Sequence, residues 1–133
     1  MNLINELKTN NYALIASNGY FSTSSGIKPI INKLEENIHY FEGLCVADKI
    51  VGKASAMLLV LSGVKEVNAL VLSTSGKEVL DKYEIAYTYE QLVEYIINRK
   101  GDDMCPMEKT VVNINDLNEA YLALANKVKE MGI

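Results

Sequence analysis

Gly43-Leu-Cys-Val-Ala47 and Val67-Asn-Ala-Leu-Val-Leu72 bracket the stretch whose reading decides the fold. Each is a short apolar run rich in branched residues, the pattern of a strand buried on both faces. Between them Ile50, Val51, Ala54, Met57, Leu58 and Leu61 recur at helical spacing. Asp48 stands where a residue could cap a helix reaching about Ser62. Gly63 followed by Val64 fits a helix end closed by a left-handed glycine and a hydrophobic contact. A strand–helix–strand unit of this kind requires parallel neighbours joined by a right-handed crossover.

Upstream, Asn2 can cap a short helix through Lys8, with Leu3, Ile4 and Leu7 on one face. Tyr12 to Ser17 and Tyr20 to Thr23 flank Asn18-Gly19, the pair that a type I′ hairpin turn favours because both central residues need positive φ. Pro29 opens a helix carrying Ile27, Ile30, Ile31 and Leu34. Downstream, Ser75-Gly-Lys-Glu78 has capping-box spacing and opens a helix to Tyr83. Ile85 to Tyr87 reads as a short strand. Thr88-Tyr-Glu-Gln91 reads as a second capping box, starting a helix to about Asn98. Lys100 to Asp103 is a polar loop, Thr110 to Ile114 reads as extended, and Asp116 caps a last helix with Leu117, Tyr121, Leu124 and Val128 on one side. The expected architecture is a single α/β domain over residues 1–133: a three-layer α-β-α sandwich on a mixed sheet with an N-terminal β-hairpin.

The chain has 133 residues, 49% of them hydrophobic, and a net charge of −4. That is enough chain to bury a core without staples. The acid excess speaks against nucleic acid as a partner. Two cysteines and a polar segment Met1 to Lys8 point to a reducing, cytoplasmic setting without signal or anchor. The longest apolar run, Ala54 to Leu61, is broken by Ser55 and too short for a bilayer, so no membrane role is expected.

Gly26-Ile-Lys-Pro29, Val46-Ala-Asp-Lys-Ile-Val-Gly-Lys-Ala54, Ala56-Met-Leu-Leu-Val60, Gly63-Val-Lys-Glu-Val67, Tyr95-Ile-Ile-Asn-Arg99 and Cys105-Pro-Met-Glu-Lys109 together resemble a small prokaryotic family, domain of unknown function 1893. The resemblance spans most of the chain. It implies a cytidine-deaminase-like fold and brings no established activity with it.

Zinc deaminases use a His-x-Glu (or Cys-x-Glu) and a Pro-Cys-x-x-Cys, each at a helix start. At the matching places this chain has Ala47-Asp-Lys49 and Ser73-Thr-Ser-Gly76. His39, Cys45 and Cys105 are the right types for zinc but lack its spacing. No metal and no cofactor is expected.

In open α/β sheets ligands sit beyond the carboxyl ends of parallel strands, where helix starts present free N–H groups. The candidate site is therefore Asp48 and the small polar run Ser73, Thr74, Ser75, Gly76. Lys49 and Lys53, four apart, are read as one helical face supplying positive charge. Cys105 and Glu108 form a second candidate, a thiol and a carboxylate beside Pro106. In the leading reading Asp48 and Glu108 act as acid and base. The other residues bind a small anionic or nucleotide-like ligand in a zinc-free site. The alternatives are a non-catalytic homodimeric interaction module and, third, a metal-dependent deaminase. Asp48 and Ser75 as plain helix caps, Lys49 and Lys53 as a solvated stripe, and Cys105 as an apolar plug are the competing structural readings.

Overall fold

The structure is a computed structural model and describes residues 2–133. Helix α1 (Leu3–Asn10) leads into the hairpin strands β1 (Leu14–Ala16) and β2 (Phe21–Ser22). Then follow α2 (Lys28–Glu36), β3 (Cys45–Val51), α3 (Lys53–Leu61), β4 (Glu66–Ser73), α4 (Thr74–Lys82), β5 (Ala86–Val93), α5 (Pro106–Val111) and α6 (Leu117–Met131). The strands form one mixed sheet in the order β2-β1-β3-β4-β5. β1 runs antiparallel to both β2 and β3, while β3, β4 and β5 are parallel.

The strand alternation divides the core in two. Ile15 and Ala47 point towards α1, where they meet Leu3 and Leu7. Leu14, Ala16, Val46, Val67 and Ala69 point the other way, into a larger core built with α2, α3, α4, α5 and α6. Two parallel crossovers made in the same direction put their helices on the same side of a sheet, and α3 packs directly against α4 and α6. That sandwiched position explains α3's composition. It has sheet on one side and helices on the other, and Ala54 to Leu59 are all buried. Among the described residues no helix is long and apolar enough to cross a membrane.

Four local readings change. The hairpin forms, but Asn18 does not take positive φ; only Gly19 does, at 97°. Gly19 N–H donates to the Ala16 carbonyl and Ala16 N–H to the Tyr20 carbonyl, so the turn is a three-residue loop closed by a glycine bulge. Asp48 caps nothing. It lies inside β3 opposite Leu14 and Ala69, and the helix after it starts five residues later, at Lys53. Residues 88–93 continue β5 alongside β4 rather than opening a helix; Tyr87, Thr88 and Tyr89 are good strand formers, and an open ladder outweighed a capping-box pattern. Thr110 and Val111 belong to the short helix α5, which Pro106 begins. Met107 and Val111, one helical turn apart, are both buried in the core.

The other end of α3 matches its sequence signal. Gly63 (φ 88°) and Val64 donate to the Val60 and Leu59 carbonyls, closing the helix in a Schellman motif.

Candidate functional site

The strand β3 carries Asp48 on the face of the sheet that α3 covers, just before the chain turns at Gly52 into α3. The carboxyl of Asp48 is almost wholly enclosed, at 7% exposure. Its Oδ1 accepts from the Ile50 N–H at 3.2 Å, and among the described residues no side chain donates to it. Burial pushes this carboxyl from 3.8 up to about 7, partly countered by the Ile50 and Lys49 backbone N–H groups.

Asp48 lines a partly open cavity of about 160 Å³ together with Ser55, Cys105 and Glu108. Ala13, Ile27, Ile50, Ile96, Ile97 and Met107 supply apolar walls. Ser55, in the first turn of α3, is 6% exposed, and its hydroxyl has no hydrogen-bond partner among the described residues. No fully buried side-chain polar atom among the described residues lacks a hydrogen bond, so the Asp48 carboxyl and the Ser55 hydroxyl keep access to this cavity rather than being sealed away from it.

Glu108 stands between this cavity and a second cleft of about 380 Å³ lined by Lys53, Ser75 and Tyr95. Its carboxyl caps α3 from a distant part of the chain: Oε1 accepts from the Lys53 N–H at 2.7 Å and Oε2 from the Ala54 N–H at 2.9 Å. Free N–H groups and the helix dipole attract an anion there, and the anion is the protein's own. Burial nevertheless holds Glu108 above its usual carboxyl range, since desolvation outweighs those two backbone bonds and the nearby Lys53 charge.

Gly52 makes this cap feasible. A Cβ at that position would stand 2.8 Å or less from Glu108 Cδ and both carboxyl oxygens. Gly76 is also tight, for its Cβ would meet the Gly52 carbonyl carbon at 3.0 Å. The starts of α3 and α4 thus touch through two glycines. Gly52→Ala is expected to cost about 2 kcal/mol by pushing the carboxylate off α3. In a Glu108→Ala background the same change should cost far less, because neighbouring groups in one network are not additive. Urea unfolding of the four proteins measures this coupling.

The sequence-nominated residues fall into three places. Asp48, Lys49, Cys105 and Glu108 line the inner cavity. Lys53 and Ser75 line the second cleft, with Glu108 shared. Ser73 and Gly76 are buried at the start of α4, where Ser73 Oγ accepts from the Gly76 N–H at 3.0 Å. Thr74 Oγ1 donates to the Glu94 carbonyl. The expected Lys49–Lys53 face does not exist, because Lys49 is in a strand and Lys53 opens a helix. Lys49 Nζ donates to Asn11 Oδ1 at 2.8 Å, and Lys53 Nζ to the Val112 carbonyl at 3.3 Å.

The sequence motifs do not mark Ser55 and Gly52 as site residues. The sequence did carry one signal for Ser55: a lone hydroxyl inside the apolar run Ala54 to Leu61. Of the three residues with zinc-binding chemistry, His39 is exposed in a loop, Cys45 packs in the core beneath α1, and Cys105 lies at the cavity. Among the described residues no three His, Cys, Asp or Glu side chains converge as a metal group.

These features define a class: a mixed α/β domain in which a buried aspartate and a tethered glutamate close one small cavity at a helix start. The family model described as a domain of unknown function (DUF1893) matches residues 2–128, and the chain belongs to that family. Among solved structures, it is similar to the crystal structure of a DUF1893 family protein from Thermotoga maritima. The TM-score is 0.86 at 27% identity, over 94% of this chain and 86% of that one. Comparison with curated proteins gives no match.

Proposed function

We propose that this chain binds a small, ring-sized polar molecule in the cavity between β3 and α3, with Asp48 exchanging a proton with it. The observation that carries the reading is the pairing of two buried polar groups, Asp48 and Ser55, neither bonded to another side chain, in one mostly apolar cavity. Desolvating a carboxyl is costly, and Asp48, unlike Glu108, caps no helix in return: its one hydrogen bond comes from the Ile50 N–H two residues on. A carboxyl poised near 7 can both accept and donate a proton at neutral pH.

Volume and charge narrow the ligand. A cavity near 150 Å³ holds about one benzene-sized ring, so the inner space takes a ring and not a whole nucleotide. Two carboxyl groups in its wall favour N–H donors on that ring. The anionic character expected from sequence fits better further out. Ser25, Gly26, Ile27, Ile97, Cys105 and Met107 line both the inner cavity and an adjoining cleft of about 630 Å³. Lys28, Arg99 and Lys100 border that cleft. None of the three is in an ion pair among the described residues, whereas Asp103 is engaged by Lys109 and Asp102 by Asn98. A heterocycle inside with an acidic substituent outside is the ligand class this arrangement suits. The hairpin edge followed by parallel strands joined by helices is consistent with a cytidine-deaminase-like, three-layer arrangement, with chemistry that does not use that fold's zinc motifs.

The test is thermal unfolding with aminopyridine, cytosine and cytidine monophosphate as probes. Binding at a hundredfold excess over Kd stabilises by about 2.7 kcal/mol. At least one probe should raise the melting temperature of the wild type. Ser55→Val, which fills the cavity with a methyl, should abolish that rise, and Arg99→Ala should weaken only the phosphate-bearing probe. No shift with any ring probe at millimolar concentration would overturn the proposal.

A further inference from the structure

The two edges of the sheet are unlike. β2 has only two residues, whereas β5 offers an edge of eight, most of them exposed. A long open edge presents unpaired backbone N–H and C=O groups, and folded proteins guard such edges with lysine, proline, bulges or a covering segment. β5 has none of the first two, and its one charged residue, Glu90, is held by Lys8 of α1 at 2.5 Å. Tyr89 and Leu92 are 42% and 41% exposed on it.

We propose that β5 pairs antiparallel with β5 of a second copy about a two-fold axis midway between the two Tyr89 residues, joining two sheets into one. The axis lies normal to the sheet, so each residue keeps its face, and residues directly opposite one another must share a face. The pairing can therefore be centred on a residue but not between two. Centring on Glu90 sets two carboxylates against each other, which is unfavourable. Centring on Tyr89 opposes the two tyrosines, puts Glu90 against Thr88 and Tyr87 against Gln91, and uses nearly the whole strand. Tyrosine pairs across strands are favourable.

Charge selects the occupant. An edge whose only carboxylate is already neutralised within its own chain matches another such edge better than it matches an acidic or basic peptide. Closure follows from the other edge. With two residues, β2 gives no ladder for a β5–β2 chain to grow, so association stops at two copies. Strand pairing alone buries less than the roughly 1,200 Å² of a tight complex. The dimer is therefore concentration-dependent.

Sedimentation of the full chain from micromolar to several hundred micromolar should show a monomer–dimer equilibrium. Tyr89→Lys, which places two like charges at the axis, should leave a monomer with unchanged circular dichroism. In a Cys45→Ala, Cys105→Ala background, Tyr89→Cys should cross-link to its own copy under mild oxidation at least tenfold faster than Glu90→Cys. A wild type that is monomeric throughout overturns the proposal. So does a dimer that Tyr89→Lys leaves intact, or one that Glu90→Cys traps as readily.

Discussion

Asp48→Asn is expected to make the protein more stable, and only above acidic pH. The carboxyl has a folded-state pKa of about 7 against 3.8 for a free aspartate. Between those values the folded chain holds more protons than the unfolded chain, so stability falls as pH rises. Its contribution is fully present below the lower value and lost through the upper one. At about 1.4 kcal/mol per unit the shift corresponds to roughly 4 kcal/mol, an upper bound for the relief that an uncharged isostere gives. Urea unfolding should find wild type and variant nearly equal at pH 4. At pH 8 the variant should lead by about 2–4 kcal/mol, roughly 10 °C in melting temperature for a domain of this size. Glu108 is displaced in the same direction by the same cause, so Asp48→Asn should reduce the acid-side slope without flattening it. A buried charge that lowers stability is the signature of a group kept for its chemistry. The same variant should lose the ring-probe stabilisation. Equal stability of the two proteins at pH 8 would mean that water or a counter-charge solvates Asp48.

Glu108→Ala is expected to have the opposite sign and comparable size. Removing the carboxyl strips two charge-assisted bonds from the start of α3, one of them to the buried Ala54 N–H. Each orphaned backbone donor costs about 1–3 kcal/mol. The variant should lose about 3 kcal/mol overall. Glu108→Gln keeps one acceptor and turns an amide N–H towards the other donor, so it should fall between. Because α3 packs against sheet, α4 and α6 at once, the loss should appear as lowered stability of the whole domain rather than local fraying. Hydrogen exchange at the α3 amides distinguishes the two.

Signals confined to neighbours in the chain were legible in the sequence. The apolar runs 43–47 and 67–72 located β3 and β4, Gly63-Val64 marked the end of α3, and Asp116 did cap α6 through the Glu119 N–H. Non-local competition was not legible. Thr88 to Gln91 carries a capping box, but the unsatisfied edge of β4 drew it into a strand. Asp48 looked like a cap because it follows an apolar run and precedes a helix. The group that caps α3 is Glu108, 55 residues away from Lys53. No local pattern announces a partner at that range. The site showed the same division. Asp48 and Glu108 belong to separate sequence motifs, and the fold brings them to one cavity. Lys49 and Lys53 have helical spacing in the sequence, but Lys49 lies in a strand, where that spacing sets no common face.

The proposed chemistry turns on the protonation of one buried carboxyl in the cavity it shares with Ser55. Carbon-detected NMR of the aspartate side chains, titrated from pH 3 to pH 9 and assigned by loss of the Asp48 signal in Asp48→Asn, reads it directly. A midpoint near 7 for Asp48 is the predicted result. A midpoint at the ordinary aspartate value near 4 would contradict it.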